Sequence, residues 1–142
     1  MSQSTLFPAG AVARPSSPGA ARGVVTILRL EGFAVFAAAL ALYVHLGASW
    51  ALFAALLLAP DLAMAGYLAG PRVGAAAYNL VHTTFAPLAL GAAGLALAAP
   101  QVEALALIWL AHIGADRALG YGLKYATGFG DTHLGRFGRS AP

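Results

Sequence analysis

An all-α fold, a four-transmembrane-helix bundle with cytoplasmic termini, is what this sequence predicts, and three observations carry that expectation. Of 142 residues, 60% are hydrophobic and 9% charged, with a mean hydropathy of +0.76. A soluble domain carries about 25% charged residues. Four apolar runs follow one another, each long enough to cross a bilayer at about 20 residues per span. The Lys and Arg residues between and beyond those runs all fall on one side of a four-span arrangement.

Residues 1–23 are rich in Ala, Ser, Pro and Gly without periodicity, and they read as a disordered N-terminal tail. The transmembrane domain is expected over residues 24–125. Its first span, "VVTILRLEGFAVFAAALALYVHL", covers Val24 to Leu46. It is too long for a signal-peptide core of about 7–15 residues. Gly47 and Ser49 mark a turn. The second span covers Trp50 to Ala69, and Gly70, Pro71 and Arg72 end it. The third covers Val73 to Ala98, up to the break at Pro100, and the fourth covers Val102 to Tyr125. Residues 126–142 form a short, Gly-rich cytoplasmic tail. Pro60 and Pro87 lie mid-span, where each removes one backbone donor and bends its helix. The Ala and Gly content of the spans suits close helix packing where lipid gives no hydrophobic drive.

Orientation follows from charge. Arg14 and Arg22 precede the first span, Arg72 separates the second from the third, and Lys124, Arg136 and Arg139 end or follow the fourth. The other two connections carry no Lys or Arg, so the positive-inside rule places both termini in the cytoplasm. Trp50 fits an interfacial anchor on the opposite side, with Trp109 deeper. The basic residues form no patch with interleaved aromatics, despite a pI near 9.7. Nucleic acid is therefore excluded as a partner, and the lipid bilayer is the expected surroundings. With no cysteine in the chain, disulfides, thiolate metal sites, iron–sulfur clusters and cysteine nucleophiles are excluded.

The apolar spans nevertheless hold Arg29, Glu31, Asp61, His82, His112, Asp116 and Arg117. A charge at the bilayer centre costs about 2.5–3.5 kcal/mol, so these groups are expected to face one another. At 1.5 Å per residue from the cytoplasmic ends, Glu31, Asp61, His82, Asp116 and Arg117 lie about 10–14 Å deep and His112 about 20 Å. One cluster in the cytoplasmic half is expected. His112 and Asp116 share a helix face, as do Tyr78 and His82. Arg117 points about 100° from Asp116 and needs another acceptor; Glu31 and Asp61 are available, and Glu31 is the preferred partner in a structural ion pair. Arg29, nearer the surface, can snorkel.

Three readings of the cluster stand. His82, His112 and Asp116, with Asp61 as fourth ligand or general base, suit Zn, Mn or Fe(II). Such an ion would activate water against a lipid-borne substrate. Haem held by His82 and His112 ranks below a bare ion. The pattern departs from di-iron bundles, because no E-x-x-H occurs. The second reading is proton handling by carboxylates and histidines, although only His45 is polar in the outer half. The third is structural: a packing lock in a non-enzymatic subunit or assembly factor of a larger membrane complex, or in a homo-oligomer. "GYG" at Gly120 to Gly122 lacks the re-entrant setting of a potassium filter. In the tail, His133 is expected to be solvated, with a lid folded under the cluster as the alternative. Asp131 is a candidate cap for the turn after it.

The stretches "LRLEG", "APD", "GYLAGPRVGAAAYNLVH", "IWLAHIGADRALGYGLKYATGF" and "DTHLG" resemble the domain of unknown function 4260 family, small bacterial integral membrane proteins. The resemblance covers Ile27 to Gly135. It implies no activity and no catalytic residues. It does imply that Glu31, Asp61, Tyr78, Asn79, His82, His112, Asp116, Arg117, Lys124 and His133 belong to one family pattern.

Overall fold

The computed structural model describes residues 18–136, which are mostly helical. Helix α1 runs Pro18–Leu46. It begins inside the stretch expected as tail, with Pro18 in the first turn, where its missing N–H is no loss. It stops at Gly47, whose φ of +67° only a residue without Cβ adopts easily. Ser49 then caps α2, Trp50–Leu56, by accepting from the Leu52 N–H. Tyr43 donates its hydroxyl to the Ser49 carbonyl at 2.6 Å and packs against Trp50 and Phe53.

The second and third spans are not continuous α-helices. Pro60 has no N–H for the Leu56 carbonyl, so α2 ends there and the chain continues as a 3₁₀-helix, Ala59–Ala69. Gly70 and Pro71 turn it into α3, Pro71–His82. Thr83 is extended and α4 starts afresh at Phe85–Ala96. Pro87 cannot donate to the Thr83 carbonyl, so the break falls one turn before it.

Helix α5, Pro100–Leu119, ends six residues earlier than expected. Gly120 takes φ +98°, its N–H meets the Arg117 and Asp116 carbonyls, and the Tyr121 N–H reaches Asp116 O at 2.8 Å. This left-handed cap closes the helix. Arg29 adds a cation at the same end, its Nε 2.9 Å from the Ala118 carbonyl. That contact engages one donor of an otherwise exposed side chain. The chain then folds back. Strands β1, Asp131–Thr132, and β2, Gly135–Arg136, pair antiparallel, and Lys124 bridges to Thr132.

Helix α5 is central, packed on α1 and α4, while the 3₁₀-helix packs on α3. At the α1–α5 crossing, Gly32 lies on the Arg117 backbone and Gly114 on Phe36. Small residues let the two backbones approach this closely. Polarity is distributed unlike a soluble core. The interior holds Ala39, Tyr43, Ala104, Ala111 and two histidines, while Leu68, Phe85 and Leu80 face outward. Two stretches, Arg22–Leu46 and Trp50–Ala69, are long and apolar enough to cross a membrane.

Candidate metal centre

The two interrupted elements and the central helix deliver four polar side chains to one point. Asp61 follows Pro60 in the first turn of the 3₁₀-helix, and His82 is the last residue of α3. His112 and Asp116, four apart, share one face of α5. Both histidines are 3% exposed, Asp116 17% and Asp61 31%, so the centre is closed except beside Asp61.

The distances are those of a coordination shell. His82 Nε2 lies 3.1 Å from His112 Nε2, 3.5 Å from Asp61 Oδ1 and 3.6 Å from Asp116 Oδ2. His112 Nε2 lies 3.5 Å from Asp61 Oδ1 and 3.8 Å from Asp116 Oδ2. All four atoms fall within 4.8 Å of one another. Four ligands at 2.0–2.2 Å from one ion, at the corners of a tetrahedron, stand about 3.3–3.6 Å apart.

Protonation points the same way. His82 Nδ1 is 2.8 Å from the Tyr78 carbonyl. A carbonyl only accepts, so Nδ1 carries the proton and the neutral ring turns a bare Nε2 lone pair inward. At most one N–H, that of His112, is then left for the four converging atoms. Two carboxylates and two imidazoles are donors that suit a divalent cation. Surrounding groups orient this set. Tyr78 donates its hydroxyl to Asp116 Oδ2 at 2.8 Å and stacks on His82 at 3.6 Å and 11°. Such outer partners fix ligand orientation.

The returning segment covers the centre. Asn79 pairs twice with the Lys124 backbone: the Lys124 N–H reaches Asn79 Oδ1 at 2.7 Å, and Asn79 Nδ2 reaches the Lys124 carbonyl at 2.9 Å. The buried Lys124 ammonium sits 5.0 Å above the Tyr78 ring and 4.2 Å above Phe129. Burial pushes its pKa down, while Asp116 and Asp61 act against that. His133 Nδ1 accepts from the Leu123 N–H at 2.8 Å. Through residue 136 the tail therefore folds back, as in the alternative expectation, with His133 itself still exposed. Partial desolvation of the His133 ring and the nearby Arg117 charge lower its imidazole pKa from the ordinary value. Asp131 accepts from the preceding Thr127 hydroxyl at 2.8 Å.

The grouping of Asp61, His82, His112 and Asp116 expected from depth and helical spacing is what the structure contains. The expected Glu31–Arg117 ion pair is not. Both residues line one groove, but the ion-pair contacts among the described residues are those of the cluster. The reason is the helix crossing: Gly32 takes the place against Arg117, and Glu31, one residue earlier, turns about 100° outward. Sequence reading missed the Asn79–Lys124 pairing, for which no periodic signal exists. It also missed Glu103, which shares a second, apolar groove with His45.

A family model described as Domain of unknown function (DUF4260) matches residues 25–137. No curated protein and no solved structure gives a significant match.

Proposed function

We propose that this chain, which belongs to the domain of unknown function 4260 family, is a multi-pass membrane metalloprotein that holds one divalent ion and acts on a lipid-soluble substrate. Asp61, His82, His112 and Asp116 are the ligands. The observation that carries this reading is the near-tetrahedral set of ligand-atom separations, 3.1–3.8 Å across five of the six pairs. The mixed imidazole–carboxylate set suits Zn first, then Mn or Fe(II). An ion there would serve as a Lewis acid and lower the pKa of bound water. Tyr78 holds Asp116 in place, and the Lys124 lid screens the centre from solvent.

In this reading the four spans are α1, then α2 with the 3₁₀-helix, then α3 with α4, then α5. Both termini lie on the cytoplasmic side of a bacterial inner membrane. The outward Leu and Phe side chains and the small-residue interior support it. Breaks in the second and third spans at the centre fit a bilayer too. Irregular backbone is tolerated at membrane depth only where protein encloses it.

The test is elemental analysis of the full chain, purified in detergent from cells supplied with Zn, Mn and Fe. About one ion per chain is expected, lost in His82→Ala and His112→Ala. Metal-free protein that stays folded would overturn the reading and leave the cluster as a packing lock in a non-enzymatic subunit. An optical spectrum settles haem, whose Soret band is not expected.

A further inference from the structure

A groove of about 570 Å³ runs beside α1 from Leu28 to Leu42, about 21 Å along the axis at 1.5 Å per residue. Its volume lies in the range of ligand pockets, about 300–1,000 Å³. Apolar side chains line most of its length, and Leu42, Leu88 and Leu110 carry it into an adjoining groove of about 480 Å³. Its other end is polar, built from Glu31, Arg117 and His133. That end lies at the folded-back lid.

The two charges there are opposite and are not used on each other. Among the described residues, neither Arg117 nor Glu31 has a side-chain partner within hydrogen-bond or ion-pair distance. Charges beside an apolar wall are destabilising unless something pairs them. A guanidinium fork matches a phosphate by two parallel hydrogen bonds. A carboxylate matches a primary ammonium. His133 stands beside them with its Nδ1 already engaged by the Leu123 N–H. The chemistry that satisfies this end while filling an apolar groove is a zwitterionic headgroup on an acyl chain.

Arg117 also connects the groove to the cluster. With Tyr78, His82, Asp116, Tyr121 and Gly122 it lines a gap of about 10 Å³, close to the space of a single water. A headgroup on Arg117 therefore stands one residue from Asp116.

We propose that the groove seats one membrane phospholipid bearing a primary amine. Its phosphate sits on Arg117, its amine on Glu31, and one acyl chain lies against Leu28, Leu42, Leu88 and Leu110. The proposal rests on the metal-centre reading in one respect, since it names the substrate class of that centre. The seat itself stands on the groove and its charges.

The experiment uses full-length, metal-loaded protein in mild detergent. It is exchanged with mixed micelles of phosphatidylethanolamine, phosphatidylcholine and phosphatidylglycerol in equal amounts, then washed. Retained phospholipid and metal are measured on the same samples. The wild type is expected to keep about one phosphatidylethanolamine per chain, in about tenfold or greater preference to the others. Arg117→Gln loses phospholipid about tenfold or more. Glu31→Gln keeps phospholipid but loses the preference for the primary amine. Ala38→Trp fills the apolar wall, keeps the metal and loses the lipid, which secures the test should Arg117→Gln fail to fold. No retained phospholipid in wild type, equal retention of all three headgroups, or retention unchanged in Ala38→Trp overturns the proposal. So does a wild-type dimer that Ala38→Trp converts to monomer, because a second copy then fills the groove. Lipid bound without metal overturns the centre and leaves the seat, and metal without lipid does the reverse.

Discussion

Replacing Tyr78 by Phe isolates one hydroxyl. That hydroxyl donates to Asp116 Oδ2 at 2.8 Å, the same oxygen that faces both imidazoles. A carboxylate oxygen has two lone pairs, so one holds the Tyr78 hydrogen bond while the other is left for the proposed ion. The ring is kept in Tyr78→Phe, and with it the stack on His82 at 3.6 Å and the Lys124 ammonium at 5.0 Å. Packing is therefore preserved and the chain still folds. In metal-free protein the lost hydrogen bond to a charged acceptor destabilises by about 1.5–3 kcal/mol, read as a lower melting temperature. Metal affinity is expected to fall about 10–100-fold, as for other outer partners of ligands, measured by chelator competition in detergent. Asp116→Asn, which removes a ligand's charge, falls further. Equal affinity in Tyr78→Phe and wild type would refute the claim that Tyr78 orients Asp116 for an ion. Tighter binding would show that the hydroxyl competes with the ion.

Other outcomes follow from the same geometry. Gly114→Ala places a Cβ 2.5 Å from the Phe36 nitrogen and destabilises by about 1–3 kcal/mol; an unchanged melting temperature would contradict the close α1–α5 crossing. Asn79→Ala removes both bonds to the Lys124 backbone, so the Lys124 amide loses its hydrogen-exchange protection while amides in the middle of α5 keep theirs. The lid is also pH-dependent. His133 has its pKa lowered by burial and by Arg117, so the detached lid takes up a proton before the docked one does. Docking is complete above the ordinary imidazole value of about 6.5 and is lost as pH falls through the lowered value. Protection factors over residues 131–136 should drop below about pH 6.5, and flat factors down to pH 5 would refute this. Because the chain has no natural cysteine, Ser140→Cys gives a clean topology probe. It is expected to react with a membrane-impermeant maleimide only from the cytoplasmic side, and labelling from outside would invert the proposed orientation.

The helical class, the near absence of soluble-type surface and the membership of the polar cluster were legible in the sequence. Each depends on composition or on one-dimensional spacing. His112 and Asp116 share a face because they are four apart, and Asp61 and His82 reach that face because they lie at about the level of Asp116 along their own apolar runs. The same arithmetic overran the fourth helix to Tyr125, because its apolar pattern continues past Gly120 while the left-handed cap ends it at Leu119. It also matched Glu31 with Arg117 by depth alone. Depth leaves open the rotation of one helix against another, and the Gly32–Arg117 contact set that rotation. The lid stood in the sequence only as the less favoured alternative, for a similar reason. Residues 120–136 carry no periodicity, and what orders them is the backbone of Lys124 meeting an amide on α3, a partner 45 positions away. Local pattern along the chain determined which residues are helical and which polar groups share a level. Tertiary packing alone decided which of them touch, because separations of 3–4 Å between different elements depend on how whole helices cross.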